Sequence, residues 1–109
     1  FLKSVIAKIM EHILDSDYGR EQLAADLCIS SSSLYNKLRA ITGQNITSFI
    51  TSIRLKEACR ILRAEPTIRV SELSYRVGFS TPRYFSQCFK KEFGMLVKEY
   101  VEKELKAME

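Results

Sequence analysis

The chain has 109 residues, 46% hydrophobic and 28% charged, with a formal net charge of +4. That length and apolar content suit one small domain, or two half-size units sharing a core, and exclude a disordered tail. No apolar run approaches the roughly 18 residues of a membrane span, no signal-like segment opens the chain, and three cysteines without a C-x-x-C pair argue against a disulfide framework or a zinc site. Beginning at Phe1, the chain reads as a soluble fragment of a longer cytoplasmic protein.

In chain order, Leu2, Val5, Ile6, Ile9, Met10, Ile13 and Leu14 step by three and one, the stripe of an amphipathic helix. His12, the single histidine, lies on this helix, where a catalytic or metal role is not expected. After the breaker-like Ser16-Asp17-Tyr18-Gly19, the apolar set Leu23, Ala24 and Leu27 predicts a short second helix. Cys28, Cys59 and Cys88 read as small buried apolar groups that fill space.

The stretch CISSSSLYNKLRAITGQ, residues 28–44, has the composition of a linker at its start and a leucine stripe behind it. Ser30 stands where a helix N-cap belongs, since its hydroxyl can accept a bond from a backbone N–H left unpaired in the first turn. Gly43 closes the same helix as a left-handed C-cap. Ser31, Ser32 and Ser33 then lie in the first helical turn rather than in a linker.

Ile46, Phe49, Ile50 and Ile53, continued by Leu55, Ala58, Cys59 and Leu62, predict a long helix that Pro66 must end. Val70, Leu73 and Val77 repeat the short helix, Tyr84, Phe85, Phe89 and Phe93 mark another closed by Gly94, and Val97, Tyr100, Val101 and Leu105 mark the last. No segment alternates with a period of two for long enough to be a strand, so the predicted fold is all-α with about seven helices.

An internal repeat organises these helices. A shift of 50 residues lays Leu23 on Leu73, Leu27 on Val77, Cys28 on Gly78 and Ser30 on Ser80. One added residue in the second turn makes the later shift 51, so that Leu34 meets Phe85, Leu38 meets Phe89 and Gly43 meets Gly94. Each copy is a short helix, a tight turn and a second helix: a helix-turn-helix, twice. The predicted organisation is a leading helix over 1–16, a first helix-turn-helix over 17–45, a linker helix over 46–65, a second helix-turn-helix over 66–95 and a C-terminal helix over 96–109, together one domain.

Charge placement bears on the partner. No acidic residue occurs between Asp26 and Glu57 or between Glu72 and Glu92, and those windows hold Lys37, Arg39, Arg54, Lys56, Arg76, Arg83, Lys90 and Lys91. Taking about 100° per residue, the side opposite Leu34 and Leu38 carries Ser32, Asn36 and Arg39, flanked by Ser31, Ser33 and Tyr35. The side opposite Phe85 and Phe89 carries Arg83, Gln87, Lys90 and Lys91, with Ser86 at the margin. Amide and guanidinium groups pair bidentately with adenine and guanine edges, small hydroxyls permit close backbone approach, and lysines hold phosphates. Polar residues face solvent on every amphipathic helix. The coincidence of repeat, turns and acid-free windows on the same segments is what favours double-stranded DNA. The alternative is a helical protein–protein interaction module without DNA binding, which would be expected to expose a contiguous apolar patch. An enzyme is not expected, because no nucleophile, base and orienter set can be assembled.

These residues resemble the DNA-binding domain of AraC-type (AraC/XylS family) bacterial transcription regulators. VSELSYRVGFSTPRYFSQCFKKEFG, residues 70–94, is similar to that family's signature around its second helix-turn-helix, and LYNKLRAITGQ followed by IRLKEACRIL is a weaker match. The leading FLKSVIAKIMEHIL looks like the helix that joins such domains to receiver modules in response regulators and hybrid two-component sensors. The resemblance implies sequence-specific DNA binding in successive major grooves, transcription regulation in the cytoplasm, no cofactor, RNA polymerase as a further partner, a monomeric isolated domain and a full-length protein open to dimerisation. The helix faces put Ser31, Ser32, Tyr35, Asn36 and Arg39 of the first unit and Arg83, Ser86, Gln87, Lys90 and Lys91 of the second in the DNA-facing role.

The chain departs from the family pattern at Ile46 and Val97, where the family often has proline just inside a helix start, which leaves those starts open to a shift of a residue or two. Cys28 stands where the family prefers glycine, so a positive φ there implies mild strain. The linker helix, roughly 27 Å long, is comparable to the roughly 34 Å between successive major-groove faces and can serve as a rod between the two motifs. For Arg54, on that rod, a structural and a phosphate-binding role are both open.

Overall fold

Each apolar stripe forms a helix over most of its length, and no described residue lies in a strand, in the computed structural model, which describes residues 1–105. The elements are α1 (Leu2–Glu11), α2 (Arg20–Asp26), α3 (Ser31–Thr42), α4 (Ile46–Ala64), α5 (Val70–Arg76), α6 (Pro82–Phe93) and α7 (Val97–Tyr100), followed by a π-helical turn, Val101–Leu105. The fold is all-α. The chain divides into two compact units, Phe1–Ile53 and Arg54–Glu109, and the division falls within α4.

Local chemistry sets the helix ends. Ser30 Oγ accepts from the Ser33 N–H at 3.1 Å, and Gly43 adopts φ 73° at the other end of α3. Without a proline, α4 still starts at Ile46, because Asn45 Oδ1 accepts from the Ser48 N–H at 2.8 Å and does the work of an N-cap. Helix α7 likewise starts at Val97, where Glu99 Oε1 accepts from the Leu96 N–H at 3.3 Å. In the second motif the cap is Thr81, whose Oγ1 accepts from the Tyr84 N–H at 3.2 Å, with Pro82 at the first helical position. The added residue therefore precedes the cap, and Thr81, not Ser80, is the counterpart of Ser30.

Three expectations change. The leading helix stops at Glu11 instead of running to residue 16, His12 is its C-cap rather than an interior residue, and Leu14 is 72% exposed. Beyond Glu11 the bonds tighten to i→i−3, with the His12 N–H donating to Ile9 O and the Ile13 N–H to Met10 O. Asp15 Oδ1 then accepts from the Asp17 N–H at 2.9 Å, a local bond that competes with helix. Tyr18, placed among the breakers, is buried: its ring stacks on His12 with centroids 4.3 Å apart, and its hydroxyl donates to Asp26 Oδ2 at 2.8 Å. At the other end, the C-terminal helix gives way to the π turn after Tyr100, a widening that the spacing of Val97, Tyr100, Val101 and Leu105 does not register; residues 106–109 of that expected helix lie outside the described residues.

In the first unit, Val5 and Ile9 of α1, Leu23 of α2, Leu34 and Leu38 of α3 and Ile46, Phe49 and Ile50 of α4 close one core. In the second, Leu55, Ala58 and Leu62 of α4, Leu73 of α5, Phe85 and Phe89 of α6 and Tyr100 close another. Each buried large apolar side chain contributes about 1.5–3 kcal/mol relative to leaving it in water. The Phe89 ring meets Phe85, Phe93 and Tyr100 at centroid distances of 5.8, 4.6 and 5.6 Å, so the second core is chiefly aromatic around α6.

Candidate nucleic-acid interface

In each motif the short helix, a turn and the second helix are held by the same device. The turns place one residue in the left-handed region, Cys28 at φ 59° in the first and Gly78 at φ 84° in the second. Cys28 is the single non-glycine residue of positive φ among the described residues, so the strain anticipated from the sequence is present. Against the expectation of burial, Cys28 is exposed, because it sits in the turn itself, whereas Cys59 is buried and Cys88 half-buried; all three are free thiols.

With Leu34 and Leu38 fully buried, α3 turns its opposite side outward. Ser32, Asn36 and Arg39 are exposed there, Tyr35 is 38% exposed and Ser31 is half-buried. The Arg39 guanidinium lies 6.0 Å from the Tyr35 ring centroid, at the outer limit of a cation–π contact. Lys37, one residue off this face, has its ammonium 5.3 Å from the Phe1 ring and is turned toward the leading segment.

On α6, Phe85 and Phe89 are fully buried and Arg83, Gln87, Lys90 and Lys91 are exposed, with Ser86 half-buried at the edge. Among the described residues none of Arg39, Arg83, Lys90 and Lys91 has a carboxylate partner. Their charge is therefore uncompensated by any described carboxylate. Tyr84, which the sequence stripe includes, is 49% exposed beside Arg83. A stripe centred on Phe85 and Phe89 does not reach the residue about 100° away, which is the signal that would have placed Tyr84 on the surface. A hydrogen bond with Cys88 pushes the Tyr84 phenol above its ordinary value.

Two other basic residues of the acid-free windows, Arg54 and Arg76, separate from this set. Arg54 is buried at 5% exposure, and its Nη1 donates to the Val77 carbonyl at 2.8 Å. Its role is structural: it ties α4 to the residue after α5. Arg76 Nη1 lies 2.8 Å from Glu65 Oε2, so its charge is matched. Among the described residues no group of three or more His, Cys, Asp and Glu side chains is placed to hold a metal ion, and no helix is long and apolar enough to cross a membrane.

Residues 23–103 match the family described as a helix-turn-helix domain. Histidine kinase P4 of Formosa agariphila is 33% identical over 99 residues, covering 91% of this chain and 7% of the kinase. The C-terminal domain of AraT, a response regulator from Geobacillus stearothermophilus, superposes with a TM-score of 0.83 at 27% identity over 94% of this chain and 84% of that one. The DNA-binding domain of the global transcriptional factor AdpA, solved in complex with a target DNA, superposes with a TM-score of 0.79 at 26% identity over 93% and 89% of the two chains. The chain thus spans a small part of the curated kinase and most of each excised domain. With two helix-turn-helix motifs in an all-helical fold, the matching residues and these likenesses, the chain belongs to the AraC-type helix-turn-helix family of DNA-binding transcription regulators.

Proposed function

We propose that this chain binds double-stranded DNA sequence-specifically and regulates transcription, with α3 and α6 as the recognition helices entering successive major grooves. The observation that carries the reading is the pair of capped second helices, each with its apolar side buried and its opposite side exposed, the second carrying an unpaired guanidinium, an amide and two ammonium groups. In that reading Ser31, Ser32, Tyr35, Asn36 and Arg39 meet one groove, and Arg83, Ser86, Gln87, Lys90 and Lys91 meet the next. AdpA's domain, solved on its target DNA, and AraT, a response regulator, support placing the activity in a cytoplasmic signalling protein. The chain acts on DNA as a monomer, with RNA polymerase as a further partner and any dimerisation supplied by other parts of the full protein.

Titrating salt during binding to mixed duplex DNA tests the reading. Affinity should fall steeply with log salt as counterions are released from the contacted phosphates. Salt-indifferent binding, or none, contradicts it. Selection from a random duplex pool then supplies the preferred site.

A further inference from the structure

Arg20, the first residue of α2, was not singled out by charge, because it precedes the first acid-free window and is followed by Glu21. In the fold it lines an open cleft of about 420 Å3 together with Ser31, Ser32, Tyr35, Asn36 and Ile46. Ile46 is 2% exposed, whereas Arg20, Ser32, Tyr35 and Asn36 are exposed. No carboxylate lines the cleft, and among the described residues Arg20 has neither an ion pair nor a side-chain hydrogen bond. A guanidinium with five donors, two hydroxyls, a phenol and an amide thus border one cleft with no anion supplied by the described residues.

We propose that this cleft is a phosphate clamp, in which the Arg20 guanidinium holds one non-bridging oxygen pair of the DNA backbone while the Ser31 and Ser32 hydroxyls donate to the same phosphodiester. The proposal rests on the DNA-binding reading and deepens it. Planar guanidinium donors match phosphate oxygens bidentately, and hydroxyls add donors without bulk. A backbone phosphate fits better than a free small anion because Ser32 and Asn36 belong both to the cleft and to the outward face of α3. A helix reading bases with that face brings the flanking phosphodiester to the cleft. Arg20 then fixes the register of α3 on the duplex and carries no base information of its own.

The test uses the 109-residue chain on its selected duplex and on scrambled DNA. Arg20→Ala should weaken binding to both by the same factor, about tenfold or more at low salt, as for loss of a hydrogen bond between charged groups. It should also reduce the slope of log affinity against log salt by about 0.9, one phosphate's share. A scan that replaces each phosphate in turn by a neutral methylphosphonate should show a penalty at one position that disappears in Arg20→Ala. Arg20→Gln, which keeps the size, should behave as Arg20→Ala, and thermal melts of both should match the wild type. If the wild type binds and Arg20→Ala leaves affinity and slope unchanged, the clamp is wrong. Loss confined to one base position makes Arg20 a base reader and also overturns it. Arg20-dependent binding of inorganic phosphate, with DNA affinity unaffected, assigns the cleft to a small anion. A wild type that binds no duplex at any salt overturns the DNA-binding reading itself, and the clamp with it.

Discussion

The first motif rests its second helix on two leucines, Leu34 and Leu38, and the second rests its own on two phenylalanines, Phe85 and Phe89, in a cluster with Phe79, Phe93 and Tyr100. Both helices have twelve residues, a hydroxyl N-cap and a left-handed glycine at the C-cap. Their turns differ, with a cysteine in the left-handed region of one and a glycine in the other. Their outer faces differ more: serines, one amide, a tyrosine and a single guanidinium on α3, a guanidinium, an amide and two ammonium groups on α6. One backbone solution is thus used twice with different fillings. The backbone depends on buried pairs and caps, and the surface is free to vary because it contributes little to folding.

The largest expected effect falls on the aromatic core. Phe85→Ala or Phe89→Ala should destabilise the chain by about 3–5 kcal/mol, and Leu34→Ala by about 2–5 kcal/mol. Urea unfolding with hydrogen exchange shows whether the loss is local to each unit: a Phe89→Ala chain should lose amide protection in α5–α7 before α1–α3. Equal loss in both would break the two-core description.

Next comes the division of readout. Arg83→Ala or Gln87→Ala should weaken binding to the selected site by about 1–3 kcal/mol and relax choice at one base pair, as expected for removing a bidentate contact. Lys90→Ala and Lys91→Ala should lower affinity for all sequences alike and reduce the salt slope by about one each. If Asn36→Ala alone alters base preference, while Arg83 and Gln87 act equally on scrambled DNA, the assignment of readout to α6 is wrong.

The turns give a smaller, paired effect. Cys28→Gly should stabilise the first unit by about 0.5–1 kcal/mol, the left-handed strain relieved less glycine's greater freedom in the unfolded chain. Gly78→Ala should destabilise the second by about 1–2 kcal/mol. Thermal melts of the two variants should move in opposite directions.

Smallest is an alkaline effect, to which a buried phenol contributes in each unit. Burial first, and then Asp26, raises the Tyr18 phenol, while burial and then Cys59 raise Tyr100. Each native state keeps its phenol protonated where the unfolded chain, near a pKa of about 10, has lost the proton. Stability is therefore fully present below that pH and falls as pH rises through it toward the raised folded value. Tyr18→Phe should cost about 1 kcal/mol at neutral pH through the lost bond to Asp26 and flatten the fall above pH 10. An unchanged alkaline limb would remove Tyr18 from this account.

Sequence reasoning carried the helices, the repeat and the caps at Ser30, Gly43 and Gly94, because each rests on a local pattern: period, hydroxyl before the stripe, glycine after it. What it missed depends on contacts distant along the chain. Tyr18 looks like turn material until Asp26 and His12 are brought against it. Arg54 looks like any rod-surface cation until the Val77 carbonyl is found 2.8 Å away. Arg20 enters the site only through a cleft assembled from α2, α3 and the start of α4. The exposed faces of α3 and α6 were legible since burial of one helix side dictates the other.

The most direct test of two motifs acting as one reader is a protection footprint of the 109-residue chain on its selected duplex, with the stoichiometry of the complex measured on the same sample. One chain per duplex should protect two neighbouring major-groove segments about one helical turn, roughly 34 Å, apart on one face of the DNA. Protection confined to a single groove segment, or appearing only when two chains bind symmetrically, would contradict it.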